Sequence, residues 1–207
     1  MNKEEILKAL EEIRKQEARK FKQSVDLIIN LKNFDIKRES VNLIVNLPHK
    51  VGEVKIAAFF TSRSKLLDTI TKEDFAGYKT KKDIKKLVRS YDFFIAQASL
   101  MPAIASAFGK YLGPAGKMPS PQLGIIPNDN EANIKEVLEK AGRALKVKTK
   151  EPSIKLAVGR EEMKNENIAE NILAVYNPVL NALPRKNDNI RSVLIKFTMG
   201  KPVKIGK

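Results

Sequence analysis

Val41-Asn42-Leu43-Ile44-Val45-Asn46-Leu47-Pro48-His49-Lys50-Val51-Gly52-Glu53-Val54-Lys55-Ile56-Ala57-Ala58-Phe59-Phe60 holds two kinds of strand end to end. Val41, Leu43, Val45 and Leu47 alternate with Asn42, Ile44 and Asn46, the period of a strand with one face on a core. Pro48 ends that strand and Gly52 marks a change of style. From Val54 to Phe60 nearly every residue is apolar, as in a strand buried on both faces of a parallel sheet. The chain before Gly52 and the chain after it therefore belong to different layers.

Towards the N-terminus the half-exposed pattern continues. Phe21 to Leu31 alternates Val25, Leu27, Ile29 and Leu31 with Ser24, Asp26, Ile28 and Asn30, a second strand of the same kind. Asn2 to Arg19 reads as a helix, with Asn2 and Glu5 at capping-box spacing and Ile6, Leu7, Leu10 and Ile13 on one face.

Towards the C-terminus the buried style persists to about residue 142. Ser62–Ile70 and Lys79–Ser90 read as short helices with a short strand at Phe75–Tyr78 between them. Tyr91–Ala96 is a buried-type strand, and helices follow at Pro102–Tyr111 and Glu131–Ala141. Strands alternating with helices make a doubly wound α/β layer. After Gly142 the alternation returns. Leu145, Val147 and Thr149 interleave with Lys146, Lys148 and Lys150, and Ile154, Leu156 and Val158 with Lys155 and Ala157. This predicts a hairpin turned at Glu151-Pro152-Ser153 with lysines along one face. Asn165–Leu183 reads as a helix that Pro178 bends or shortens. Ile190–Thr198 is the last strand, broken by Met199-Gly200-Lys201-Pro202.

The expected fold is thus α/β in two parts. Residues 1–52 and 143–207 form a split α+β domain with a half-exposed sheet of antiparallel type. Residues 53–142 form an inserted doubly wound domain, with Gly52 and Gly142 as a hinge.

Within the insert, Gly109-Lys110-Tyr111-Leu112-Gly113-Pro114-Ala115-Gly116-Lys117-Met118-Pro119-Ser120-Pro121 is dense in glycine and proline and reads as an irregular loop. It is not a Walker loop: Met118 follows Gly116-Lys117 where a hydroxyl belongs, and Tyr111 stands where the first glycine belongs. Gly113-Pro114-Ala115-Gly116 has the spacing of the backbone clamp of RNA-binding KH domains. A rigid loop closing a domain is the plain alternative.

Composition narrows the function. The 207 residues carry 39 cations against 24 anions, a net charge of +15. An excess of this size in a folded protein points to a polyanionic partner. Residues 143–207 alone hold 14 cations and 6 anions. With no cysteine and His49 as the one histidine, neither a thiolate metal site nor a nucleophile–base pair is expected, and no cofactor. No apolar run has the length of a membrane span, and Met1-Asn2-Lys3-Glu4-Glu5 is not a signal peptide, so a soluble intracellular protein with no membrane partner is expected.

Residues suited to RNA are cations on strand faces beside small or hydroxylated neighbours: Lys146, Lys148, Lys150 and Lys155; Lys20-Phe21-Lys22-Gln23-Ser24; and Ser192, Lys196, Thr198, Met199 and Gly200. Lysines attract phosphate, while hydroxyls and backbone groups meet ribose 2′-OH.

The chain resembles the family of large-subunit ribosomal protein one, the protein of the mobile stalk beside the tRNA exit site. Leu112-Gly113-Pro114, Gly116-Lys117-Met118-Pro119 and Pro121 carry the resemblance. So do Lys20-Phe21 with Ser24, Leu47-Pro48-His49 with Gly52, Ala141-Gly142-Arg143, Arg191-Ser192-Val193 and Thr198-Met199-Gly200. Ala115 departs from the arginine of bacterial-type members, and Lys155 stands where some relatives have histidine. The short N-terminus and lysine-rich loop imply an archaeal-type member.

The resemblance implies a split domain that holds rRNA and a Rossmann-like insert. It implies an RNA face of Lys20, Phe21, Ser24, Lys150, Lys155, Ser192, Thr198, Met199 and Gly200. It further implies large-subunit rRNA, exit-site tRNA and a hairpin in the protein's own mRNA as partners, the last making it a translational repressor. The protein would be cytoplasmic, ribosome-bound and monomeric when free. Two other readings stay open on the residues alone: a free-standing RNA regulator with a KH-like clamp, and a two-domain α/β enzyme acting on a phosphorylated substrate.

Overall fold

The computed structural model describes residues 2–16, 19–35, 39, 41–64, 67–78, 80–121, 123–127, 131–149 and 151–206. The elements run α1 (Lys3–Arg14), β1 (Ser24–Leu31), β2 (Asn42–Asn46), β3 (Ile56–Phe59), β4 (Asp68–Ile70), α2 (Lys81–Ser90), β5 (Phe93–Gln97), α3 (Met101–Ala115), β6 (Ile125–Ile126), α4 (Glu131–Arg143), β7 (Ala144–Lys148), β8 (Ser153–Arg160), α5 (Asn165–Ala182), β9 (Ile190–Phe197) and β10 (Val203–Gly206). The chain divides into two compact units, Met1–Gly52 with Arg143–Lys207, and Glu53–Gly142. The fold is α/β.

The first unit is built on an antiparallel sheet of order β10-β9-β1-β8. Along β1 the odd-numbered residues from Val25 to Leu31 are buried and the even ones half-buried. The buried set meets Ile6, Leu10 and Ile13 of α1 and Ile168, Ile172 and Val175 of α5 in one core. Close packing there leaves no room at Gly159 of β8, where a Cβ would sit 2.9 Å from Cγ1 of Ile168. The fully buried Asn171 of α5 donates to the carbonyls of His49 and Val158, each at 2.9 Å, and accepts the His49 N–H at 3.0 Å. Its amide is satisfied, as burial demands, and it ties the segment after β2 to the sheet.

Four expectations are corrected in this unit. Residues 145–158 do not form a hairpin. β7 pairs antiparallel with β2 in a separate two-stranded sheet, while β8 pairs with β1. The switch is made by backbone bonds on either side of Lys150: Thr149 N–H donates to Val41 O at 3.0 Å, and Leu31 N–H to Pro152 O at 2.9 Å. The first helix stops at Arg14 rather than Arg19, and just beyond it the side chain of Gln16 is held by the backbone of Lys201. α5 runs through Pro178 to Ala182; Ile172, Val175 and Val179 are buried around the proline and hold the helix against its lost hydrogen bond. Finally, Pro202 does not end the sheet. β10 follows it directly and pairs back on β9, the first-residue position where a missing N–H removes no ladder bond.

The second unit is a parallel sheet of order β4-β3-β5-β6. β3 is buried on both faces. Phe59, Phe94 and Ala96 face Ile84 and Leu87 of α2 and Ile104 and Phe108 of α3, while Ala58, Phe60 and Ile95 face Ile134 of α4. Two predicted elements change type here. The described residues of Ser62–Ile70 are not helical: the end of the stretch, β4, pairs with β3. Phe75–Tyr78 is not a strand but lies on a 3-10 turn, Asp74–Gly77, begun where Asp74 Oδ2 accepts both the N–H and the hydroxyl of Thr71 at 2.9 Å.

The glycine- and proline-rich stretch is also corrected. Gly109 to Ala115 are helical, the last turns of α3. Phe108 and Leu112 are buried there and override the weak propensities of their neighbours. The helix ends at Gly116, whose φ of 70° is left-handed and free of strain for glycine, with Lys117 N–H donating to Leu112 O at 2.9 Å. A KH-like clamp needs Gly113 to Gly116 as an open loop, so that reading falls.

Candidate nucleic-acid interface

The four-stranded sheet of the first unit has helices on its core side. The residues of opposite parity form its other, open face. The register sets them in rows across the strands. Lys204, Leu194, Ile28 and Lys155 lie side by side; Lys196, Asp26 and Ala157 make the next row towards the C-terminal end of β9; Ser192, Asn30 and Ser153 make the row on the other side. Cations at both margins thus flank a centre of hydroxyl, amide and apolar groups.

Polar pairs fix the centre. Asn30 Nδ2 donates to Ser192 Oγ at 3.0 Å. The hydroxyls of Ser24 and Thr198 lie 2.9 Å apart, and Thr198 N–H donates to Ser24 O at 3.1 Å. Partial burial pushes the Asp26 carboxyl above its ordinary range, while Lys196 beside it pulls the other way. Lys155 is exposed and ion-paired with Glu151 at 3.1 Å, a surface contact that a phosphate can displace at little cost.

One end of the face carries two large exposed apolar side chains, Phe21 at 54 % and Met199 at 63 %. Both are suited to lie against a base or a sugar. Beside them is a groove of about 360 Å³ lined by Gln16, Gln23, Phe197, Met199, Gly200 and Lys201, with Arg19. The loop after β9 is held from within. Met199 N–H donates to Gln23 Oε1 at 3.2 Å, Gly200 N–H to Phe197 O at 2.9 Å and Lys201 N–H to Gln16 Oε1 at 2.8 Å. The backbone donors of Thr198, Met199 and Gly200 are thus all taken up within the protein. A Cβ on Gly200 would sit 2.7 Å from Gln16 Oε1 and would push on the amide that holds Lys201.

The structure brings Ser24, Lys155, Ser192 and Thr198 onto one sheet face, with Lys20, Phe21, Met199 and Gly200 at its end. Lys150 lies outside the described residues. Lys146 and Lys148 sit on the two-stranded sheet instead. Sequence reasoning missed Lys204, because β10 was not expected, and Gln16, whose role arises only when the C-terminal loop closes on the segment after α1. Asn30 could have been found from its parity with Ser24.

A family model described as the ribosomal protein L1p/L10e family matches residues 13–201. The chain belongs to the ribosomal protein L1p/L10e family. Its curated relatives carry the name large ribosomal subunit protein uL1. The protein of Pyrococcus horikoshii is 37% identical over 216 residues, covering 99% of this chain and 96% of its own. That of Thermococcus kodakarensis is 35% identical over 216 residues, with 99% and 98% covered. That of Methanothermococcus thermolithotrophicus is 37% identical over 219 residues and covered throughout. The chain is an archaeal-type member of the L1p/L10e family, a family of structural ribosomal proteins and not of enzymes. No helix among the described residues is long and apolar enough to cross a membrane.

Proposed function

We propose that this L1p/L10e-family protein is a structural constituent of the large ribosomal subunit that binds rRNA of the mobile stalk through the open sheet face of its first unit. The observation that carries the reading is the register, which sets Lys155, Lys196 and Lys204 around the Ser24–Thr198 and Asn30–Ser192 pairs, with Phe21 and Met199 exposed at one end. Lysines at the margins meet phosphates, hydroxyls meet ribose, and the two apolar side chains cover a base or sugar. Lys20 and Lys150 add to the same charge, and Gly200 shapes the loop that carries Met199. The split domain holds the RNA and the Rossmann-like insert turns about Gly52 and Gly142.

The family reading extends this further. The ribosome-bound, cytoplasmic protein assists release of exit-site tRNA, and as a free monomer represses translation by binding an rRNA-like hairpin in its own mRNA. Competition tests the repressor reading. Stalk rRNA and the mRNA hairpin should compete for one site on the protein. Simultaneous binding of the two RNAs would refute the shared site.

A further inference from the structure

Helix α2 of the second unit carries a surface that rRNA binding by the first unit does not use. Lys81, Lys82, Lys85, Lys86 and Arg89 are all exposed, and none forms an ion pair with a described residue. At 3.6 residues per turn the five fall within an arc of about 140°. Ile84, Leu87 and Val88 fall outside that arc and are buried, with Val88 bordering Lys81. The one acid of the helix, Asp83, lies beyond Lys86 at the edge of the arc, with Glu73 and Asp74 across an adjoining groove. The cationic face is therefore continuous and bounded.

The arrangement is costly in the free protein. Lys81 and Lys85, Lys82 and Lys86, and Lys85 and Arg89 are like-charged pairs at i,i+4, each destabilising for an isolated helix. The other charged helices differ: α1 and α4 mix lysine or arginine with glutamate on their exposed sides. The helix is also anchored. Lys117, from the signature after α3, donates through Nζ to the carbonyls of Val88 and Tyr91 at 2.9 and 2.7 Å and so ties down the C-terminal end of α2. A rigid helix with rows of cations about 6 Å apart along its axis is a frame for a chain of phosphates.

We propose that the exposed face of α2 is a second RNA-contact surface that grips phosphate backbone without reading bases. This rests on the reading of the chain as an RNA-binding ribosomal protein. The face has no exposed aromatic or amide group among its five cations to read a base, and its charge is the wrong sign for a basic partner.

The test uses the full chain with Lys81→Gln, Lys82→Gln, Lys85→Gln and Lys86→Gln together. Glutamine keeps helix propensity close to that of lysine, and circular dichroism checks the fold. The probe is an RNA duplex unrelated in sequence to rRNA, titrated over a salt series. Affinity at low salt should fall by about tenfold or more, and the slope of log affinity against log salt should shrink by about two to three units. The same four positions changed to arginine should keep both. Unchanged affinity and slope in the glutamine variant would overturn the proposal. So would a greater loss with polyglutamate as probe than with the duplex, which would assign the face to an acidic protein. If instead the unaltered chain bound large-subunit rRNA with no salt dependence, the underlying RNA-binding reading would fail first.

Discussion

Ser24 and Thr198, at opposite ends of the chain, are joined three ways: hydroxyl to hydroxyl at 2.9 Å, Thr198 N–H to Ser24 O at 3.1 Å, and the Thr198 hydroxyl to the same carbonyl at 3.3 Å. The contact holds the start of β1 against the end of β9 and leaves lone pairs of both hydroxyls on the open face. A ribose 2′-OH arriving there meets an oriented pair rather than two free rotors.

Thr198→Val removes one hydroxyl at almost constant volume. Binding to stalk rRNA should weaken by about 1–3 kcal/mol, the cost of leaving polar partners unmet. The melting temperature should change little, since the pair is exposed and water replaces it. Ser24→Ala combined with Thr198→Val should cost clearly less than the sum of the two, because both variants break the same contact. Isothermal titration of the four proteins measures this, and strict additivity would separate the two residues.

Asp26 is the carboxylate set among the cations of the open face. Its carboxyl is raised chiefly by burial, with Lys196 opposing. The folded protein thus holds this proton more tightly than the unfolded chain does. As pH rises through the raised folded value, Asp26 ionises at a cost, so its effect on stability is unfavourable above that range and relieved below it. Asp26→Asn should therefore stabilise the fold at neutral pH, by at most about 1 kcal/mol, and should raise RNA affinity by removing an anion from the face. Chemical denaturation at neutral and mildly acidic pH checks the first part: the gain should shrink on acidification.

Lys117 gives the signature segment a structural task. Its ammonium serves two main-chain carbonyls, Val88 and Tyr91, from a partly buried position. Lys117→Met keeps the stem and removes the donors. It should destabilise the second unit by about 1–3 kcal/mol, seen as lost hydrogen-exchange protection near the end of α2. Equal protection in variant and parent would contradict the clamp.

What could be read from sequence alone follows from the physics of each element. β1 was legible because a strand with one face on a core must alternate, and the same parity selected Ser24 on β1 and Ser192 on β9 for the open face. The partners of β7 and β8 were not legible, because alternation sets which face is buried and says nothing about which strand lies alongside. Gly109 to Ala115 misled because glycine and proline act locally, whereas Phe108 and Leu112 fix that helix by packing on a distant sheet. Gln16 is an ordinary surface residue type in sequence. It became part of the candidate site only when the loop after β9 folded back on it.

The central claim is that stalk rRNA is held by the first unit. Leu47 N–H donates to Arg143 O at 2.8 Å, so the chain leaves and re-enters that unit at neighbouring points. Residues 53–142 can then be replaced by a short flexible linker, and the affinity of the remaining protein for the stalk rRNA fragment measured against that of the full chain. The prediction is a folded protein that still binds the stalk rRNA fragment at least about tenfold, or 1.4 kcal/mol, more tightly than unrelated RNA. A folded protein that binds stalk rRNA no better than unrelated RNA would contradict it.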